Sequence, residues 1–158
     1  MPNEFNANDI FEIAVTLEQN GAEFYRTAAE KVQGEENKNF LLDLAQMEDE
    51  HEKTFAAMKD ELNGEESFST TFDPENENAQ YLKALADTRV FFEKEEPGSD
   101  LKSILASAIQ AEKDSITFYL GMKELVPVKL GQSKLDDIIK EEMSHIRLLA
   151  GALSRLNR

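Results

Sequence analysis

The chain of 158 residues contains no cysteine and no tryptophan, and it has only 7 glycines and 4 prolines. Without cysteine, these residues form no disulfide scaffold, cysteine zinc finger, thiol catalyst or cysteine-held iron–sulfur centre. The scarcity of the helix-breaking residues glycine and proline, together with an apolar fraction of 41%, favours a globular, helix-rich chain over a disordered one. Basic residues are also few, 17 against 32 acidic ones. The net charge of −15 argues against a nucleic-acid surface, because a polyanion would be repelled.

Long apolar runs are missing as well. The uninterrupted apolar stretches are only a few residues long, whereas a helix needs about 20 to cross a bilayer. The N-terminal residues Met1-Pro2-Asn3-Glu4 have neither the basic side chains nor the apolar run of a secretory signal. We therefore expect a soluble, cytoplasmic protein that contacts neither membrane nor nucleic acid.

Helical periodicity dominates the chain. It predicts four long helices, which cover about 7–33, 36–62, 100–125 and 132–156. A crossover that spans 63–99 joins the second of these to the third, and it contains a shorter helix over 77–95. Short turns join the long helices in pairs, so each pair is expected to form an antiparallel hairpin. A short connection, then a long one, then a second short one is the order typical of a ferritin-like four-helix bundle with one crossover. We therefore expect residues 1–158 to form a single all-α domain with this architecture.

The two predicted hairpins repeat one another at an offset of 94 residues, without a gap. Two amphipathic helices share leucine and alanine positions by chance, but they rarely share charged and aromatic residues in register. Here the matched pairs are Glu18 with Glu112, Phe24-Tyr25 with Phe118-Tyr119, Glu48 with Glu142, and His51 with His145. Both histidines of the chain thus follow a glutamate by three residues.

Each of these four glutamates lies in the middle of the apolar stripe of its helix. A buried carboxylate without a partner costs several kcal/mol, and no lysine or arginine lies on the stripes at the same level. Two divalent cations would balance the four charges, and a Glu-x-x-His pair reaches one metal from a single helix face. The pattern predicts a dinuclear metal site formed by Glu18, Glu48, His51, Glu112, Glu142 and His145.

At these residues the sequence resembles the rubrerythrin branch of the ferritin-like superfamily. The resemblance implies that Glu18 and Glu112 are terminal ligands. It also implies that Glu48 and Glu142 bridge the two metals and that His51 and His145 each bind one metal. It further implies a non-haem di-iron oxidoreductase that reacts with hydrogen peroxide or dioxygen, as a peroxidase or a ferroxidase. Iron is the metal that the resemblance favours, and manganese or zinc suits the same ligand types.

Tyr25 and Tyr119 lie two helical turns beyond Glu18 and Glu112. Two interpretations of these tyrosines stay open. They are either core aromatics or donors of a hydrogen bond to a carboxylate ligand.

The chain departs from rubrerythrins in two respects. Rubrerythrins usually carry a C-terminal rubredoxin domain whose iron is held by four cysteines. Because this chain has no cysteine, we expect its electrons to come from a separate donor protein or a small reductant. Rubrerythrins also tend to have an extra glutamate three residues after the first one of the third helix, where this chain has Ser115. That difference weakens the case for peroxidase activity of the full rubrerythrin type.

Two other functions fit the same pattern. Iron storage of the ferritin type would use the acidic charge to draw Fe(II) to the site. A non-catalytic helical module would bind zinc or no metal there. The resemblance also implies a homodimer, for which the crossover offers four aromatic residues, Phe68, Phe72, Phe91 and Phe92. The same four residues could instead cover one side of the bundle.

Overall fold

The structure, a computed structural model, describes residues 7–63, 77–87, 97–126 and 131–157. These ranges contain no strand and five helices, namely α1 (Ala7–Lys31), α2 (Glu35–Asn63), α3 (Glu77–Asp87), α4 (Leu101–Lys123) and α5 (Gln132–Leu156). α1 packs along α2 and α4 packs along α5, while the short α3 packs against α4. The predicted all-α architecture of two helix hairpins and a short extra helix is confirmed.

The remainder of the predicted crossover, 64–76 and 88–96, lies outside the described residues, as do Phe68, Phe72, Phe91 and Phe92. The predicted short helix begins at Glu77 as expected, and its described part ends at Asp87. The organisation of the whole chain as one domain stays a prediction.

Glycines with a left-handed backbone precede the second helix of each hairpin. Gly34 has a φ of +91° and Gly131 a φ of +109°, conformations that glycine adopts without the strain of a Cβ atom. The carbonyl of Gly34 accepts a 3.1 Å hydrogen bond from the amide of Lys38, and that of Gly131 accepts one of 3.0 Å from Leu135. These bonds start α2 and α5 at the two glycines.

Among the residues that the structure describes, the apolar core consists of two clusters that lie at opposite ends of the bundle. One contains the first part of α1 and the last part of α4, with Phe11, Phe55 and Met122 among its buried residues. The other contains the last part of α1 and the first part of α4, including Tyr25 and Leu105. α1 and α4 therefore run in opposite directions, and the chain crosses the length of the bundle between α2 and α4. The residues midway along each long helix lie between the two clusters.

α3 approaches α4 closely at Gly121. A Cβ atom at this position would lie 2.8 Å from Cε1 of Tyr81 and 2.9 Å from Cδ2 of Leu82. Leu82 is fully buried and belongs to the cluster that contains Phe11. The hydrogen atom of Gly121 thus lets the crossover helix contribute to the core at this end of the bundle.

None of the helices in the described part of the chain is long and apolar enough to cross a membrane.

Candidate metal centre

Four glutamates and two histidines meet at the middle of the bundle, between the two apolar clusters. None of them is more than 3% exposed. α1 supplies Glu18, α2 supplies Glu48 and His51, α4 supplies Glu112, and α5 supplies Glu142 and His145. The structure thus brings together all six residues that the sequence predicts as metal ligands.

The six side chains form two overlapping groups that share Glu48 and Glu142. One group is completed by Glu18 and His51, and the other by Glu112 and His145. Within each group, one potential ligand atom from every residue lies within 4.8 Å of the others. Each group therefore brings four potential donor atoms, three carboxylate oxygens and one imidazole nitrogen, near enough to one another to contact a single ion.

Both imidazoles direct Nδ1 toward the glutamates. Nδ1 of His51 lies 3.0 Å from Oε1 of Glu142 and 3.6 Å from Oε2 of Glu18. Nδ1 of His145 lies 3.1 Å from Oε2 of Glu142 and 3.2 Å from Oε1 of Glu48. The rings are stacked, with centroids 5.9 Å apart and planes 19° from parallel. Nδ1 is therefore the atom that each histidine offers to the centre.

Tyr25 and Tyr119 each donate a hydrogen bond to a glutamate of the other hairpin. Oη of Tyr25 lies 2.7 Å from Oε1 of Glu112, and Oη of Tyr119 lies 2.7 Å from Oε1 of Glu18. Both rings are also fully buried, so these residues are core aromatics and hydrogen-bond donors at once. Burial and the adjacent carboxylates raise the pKa of both phenols well above the usual value, which keeps their protons available for donation.

The glutamates divide into two pairs by their pKa. Burial and the charges of neighbouring carboxylates raise the pKa of Glu48 and Glu142 well above the usual value. Burial also acts on Glu18, but hydrogen bonds with Glu48 and His51 more than offset it and lower its pKa. The pKa of Glu112 is lowered for the same reason, because hydrogen bonds with Glu142 and His145 offset the effect of burial. Without metal, the two shared glutamates therefore keep their protons to a higher pH than Glu18 and Glu112 do.

Both histidines favour the charged form when no metal is bound. Burial lowers the pKa of His51, but hydrogen bonds and charges from Glu142 and Glu18 raise it to about 11. For His145, Glu112 and Glu142 likewise overcome burial and raise the pKa to about 9. Protons therefore balance part of the negative charge of the cluster in the metal-free protein.

The donor set nevertheless suits metal ions better than protons. One oxygen of each glutamate is buried and makes no hydrogen bond within the described ranges, although three of the four lie 3.1 to 3.6 Å from Nδ1 of a histidine; these atoms are Glu18 Oε2, Glu48 Oε1, Glu112 Oε2 and Glu142 Oε2. Buried polar atoms are normally hydrogen-bonded, so four such oxygens in one place call for an explanation. Carboxylate oxygens and imidazole nitrogens are suitable ligands for iron, manganese and zinc.

The position predicted to differ from rubrerythrins also faces the interior. Ser115 lies one turn after Glu112 on α4 and is only 3% exposed. A short hydroxyl side chain there adds no carboxylate to the cluster.

One residue beside the centre was not predicted from the sequence. Nε2 of His51 makes a hydrogen bond with Oε2 of Glu141. A cleft of about 420 Å³ opens between α2 and α5 at this point, and its lining includes Glu50, His51, Thr54, Lys134, Asp137 and Glu141. Glu141 precedes a predicted ligand, but its repeat-related residue is Met47, so the repeat gave no signal for it.

A helical bundle with buried carboxylates and histidines midway along its axis defines the class of ferritin-like carboxylate proteins. The sequence model of the rubrerythrin family matches residues 9–153. The chain belongs to that family. A solved structure from Thermotoga maritima, described as a ferritin-like diiron-carboxylate protein, has a similar fold with a TM-score of 0.69. It shares 26% sequence identity, and the match covers 98% of each chain. No curated protein matches the sequence.

Proposed function

We propose that the chain is a non-haem di-iron oxidoreductase that reacts with hydrogen peroxide or dioxygen. The observation that carries the proposal is the pair of ligand groups that share Glu48 and Glu142. Two metal positions with common carboxylates hold the ions close enough to act on one small molecule together. When bound in the reduced state, two irons would supply the two electrons that, together with two protons, convert hydrogen peroxide to two molecules of water.

The six residues have separate roles in this proposal. Glu48 and Glu142 would be ligands of both ions. Glu18 and His51 would complete the ligand set of one ion, and Glu112 and His145 would complete that of the other. Four carboxylates neutralise two divalent cations, so the buried centre carries no net charge and avoids the cost of isolated charges in a low dielectric.

The tyrosines orient the terminal glutamates. Tyr25 and Tyr119 each hold one oxygen of Glu112 and Glu18, which leaves the other oxygen for the metal. Ligands that are fixed by a further hydrogen bond lose less freedom when the metal binds.

The proposal extends to the surroundings of the reaction. The chain has no cysteine for a rubredoxin-type iron site of its own, so a separate protein or a small reductant supplies the electrons. We further propose a homodimer located in the cytoplasm.

Anaerobic loading with Fe(II) tests the proposal. We expect the metal-free protein to take up two Fe(II) per chain. Added peroxide or oxygen should then oxidise both irons in a single turnover, and near-ultraviolet absorbance of the oxidised centre follows this reaction. The matched control is the His51→Ala/His145→Ala double variant, which keeps the glutamates but loses one ligand at each position. Oxidation no faster than that of the same Fe(II) in buffer would contradict an oxidoreductase.

Two further measurements separate the alternatives. Light scattering that gives a dimer contradicts ferritin-type storage, which needs a closed shell of many subunits. Metal analysis of protein purified without added iron distinguishes iron from manganese or zinc.

A further inference from the structure

The two histidines differ on the side that faces away from the glutamates. Nε2 of His51 makes a hydrogen bond with the carboxylate of Glu141. Nε2 of His145 is buried, and it has no hydrogen-bond partner in the described part of the chain. The two ligand groups contain the same residue types, but they thus differ in whether Nε2 of the histidine has a hydrogen-bond partner among the described residues.

The repeat shows how the difference arises. The residue related to Glu141 by the offset of 94 is Met47, whose thioether is only a weak acceptor. The cleft beside His51 is lined partly by Lys134 and Thr54, whereas the related positions hold Phe40 and Leu148. The residues at the repeat-related positions are therefore less polar than those that line the cleft beside His51.

Glu141 selects one form of the imidazole. A histidine that binds a metal through Nδ1 must carry its proton on Nε2, and a carboxylate at Nε2 accepts that proton in a hydrogen bond. Such a partner fixes the orientation of the ring and increases its basicity, and removing it typically costs 10–100-fold in metal affinity. The Glu141 side chain is 52% exposed, so its charge keeps much of its hydration.

We propose that Glu141 is a positioning residue for His51 and that it makes the two metal positions unequal. The position of Glu18 and His51 binds its ion more tightly than the position of Glu112 and His145. This inference rests on the proposed dinuclear centre, and it adds a residue and a difference in affinity that the ligand set alone does not contain.

Titration of the metal-free protein with Co²⁺ tests the inference, by calorimetry together with the visible absorption of bound Co²⁺. We expect two Co²⁺ per chain in two steps of unequal affinity. Glu141→Ala weakens the tighter step by 10–100-fold and leaves the other step unchanged. Glu141→Gln loses less than Glu141→Ala, because the amide oxygen still accepts the proton of Nε2.

Substitutions at the repeat-related position are the matched controls. Met47→Ala shortens the side chain at the position related to Glu141 by the repeat, and it should leave both steps as in the wild type. Met47→Glu offers His145 a carboxylate and should strengthen the weaker step. A thermal unfolding curve of metal-free Glu141→Ala like that of the wild type shows that the fold is kept.

The ¹H NMR spectrum of the Co²⁺-loaded protein shows whether Glu141→Ala affects one imidazole or both. Each bound imidazole contributes one paramagnetically shifted Nε2–H signal that disappears in D₂O. Glu141→Ala should shift one of these signals or broaden it by faster exchange, and should leave the other in place.

The outcomes distinguish this inference from the proposed centre. Two Co²⁺ bound with equal affinity, or an equal loss of affinity at both steps in Glu141→Ala, would overturn the role of Glu141. Neither result would contradict the proposed dinuclear centre. Failure of the wild type to bind two Co²⁺ would overturn both.

Discussion

The phenol of Tyr25 in α1 donates a 2.7 Å hydrogen bond to Oε1 of Glu112 in α4, and so links the two hairpins at the level of the buried carboxylates. The repeat supplies a second link of the same length, from Tyr119 to Glu18. Tyr25 packs in one apolar cluster and Tyr119 in the other. The polar layer at mid-bundle is therefore anchored to the apolar core on both sides.

Removal of the hydroxyl group of either tyrosine should destabilise the protein. Tyr25→Phe keeps the ring but deprives Glu112 of a donor, and a buried hydrogen bond to a charged group contributes about 1.5–3 kcal/mol. We expect the free energy of unfolding of the metal-free protein to fall by about this amount in Tyr25→Phe and in Tyr119→Phe, as measured by urea denaturation. Tyr81→Phe is the control, since Tyr81 is 44% exposed and a surface change of this kind stays within about 0.5 kcal/mol. Equal effects at Tyr25 and Tyr81 would contradict the role of the hydrogen bond.

The long helices and the residues that meet at the centre could be predicted from the sequence. The glutamates of the repeat lie in apolar stripes, and a stripe must face the core wherever the helices pack. Glu18 and Glu112 are thus placed by periodicity alone. The connection lengths then predict the bundle, because a long crossover separates two hairpins.

The polar contacts around the centre could not be predicted in the same way. Which acceptor Tyr25 reaches depends on how one hairpin is rotated against the other, and helical periodicity contains no such information. Glu141 is half-exposed and lies on a charged part of α5, where sequence patterns indicate only solvation. Its contact with His51 depends on the approach of α2 and α5, so only the structure distinguishes Glu141 from other surface acids.

The shared and terminal glutamates should respond differently to neutralisation. Glu18→Gln removes a ligand from one ligand group, whereas Glu48→Gln removes one from both. We expect Glu18→Gln to lose one of two Co²⁺ ions and Glu48→Gln to weaken both steps, as measured by calorimetric titration. Selective loss of one ion in Glu48→Gln would contradict the assignment of Glu48 as a shared ligand.

Glu48→Gln should also stabilise the metal-free protein. Burial and neighbouring carboxylates raise the pKa of Glu48, so above the pKa of the unfolded chain the folded protein must hold a proton there or bear an unfavourable charge. A glutamine avoids this cost, which grows as the pH rises from the unfolded pKa toward the folded one. Urea denaturation at pH 5 and pH 8 measures the effect, and the stabilisation should be larger at pH 8. A stabilisation that does not grow with pH would contradict this origin.

The stability of the metal-free protein should fall as the pH rises above neutral. The pKa of His51 is raised to about 11 and that of His145 to about 9, from 6.5. Stability from a raised pKa is fully present below the unfolded value and is lost as the pH rises through the folded value. We therefore expect the Tm of the metal-free protein to decrease between pH 6.5 and pH 10. The His51→Ala/His145→Ala variant should show a weaker decrease over the same range.

Metal binding should follow the opposite pH dependence. An ion that takes Nδ1 of each histidine displaces the proton held there at pH 7, because both pKa values lie above 7. We expect at least two protons to be released when two ions bind at pH 7, and the affinity to increase with pH. Calorimetry in buffers of different ionisation enthalpy counts these protons. Binding without proton release would contradict protonated histidines in the metal-free centre.

The close approach of α3 to α4 should make Gly121 sensitive to a methyl group. A Cβ atom there would lie 2.8 Å from the ring of Tyr81 and 2.9 Å from Leu82. Alanine gains about 1 kcal/mol over glycine within a helix, but overpacking typically costs 1–3 kcal/mol. We expect Gly121→Ala to lower the free energy of unfolding, or at best to leave it unchanged, in urea denaturation. Gly151→Ala in α5 is the matched control, because its Cβ atom would meet only Nη1 of Arg155 at 3.7 Å among the described residues. Gly151→Ala should therefore raise the free energy of unfolding by up to about 1 kcal/mol, and an equal gain in Gly121→Ala would show that α3 does not pack against α4 at this glycine.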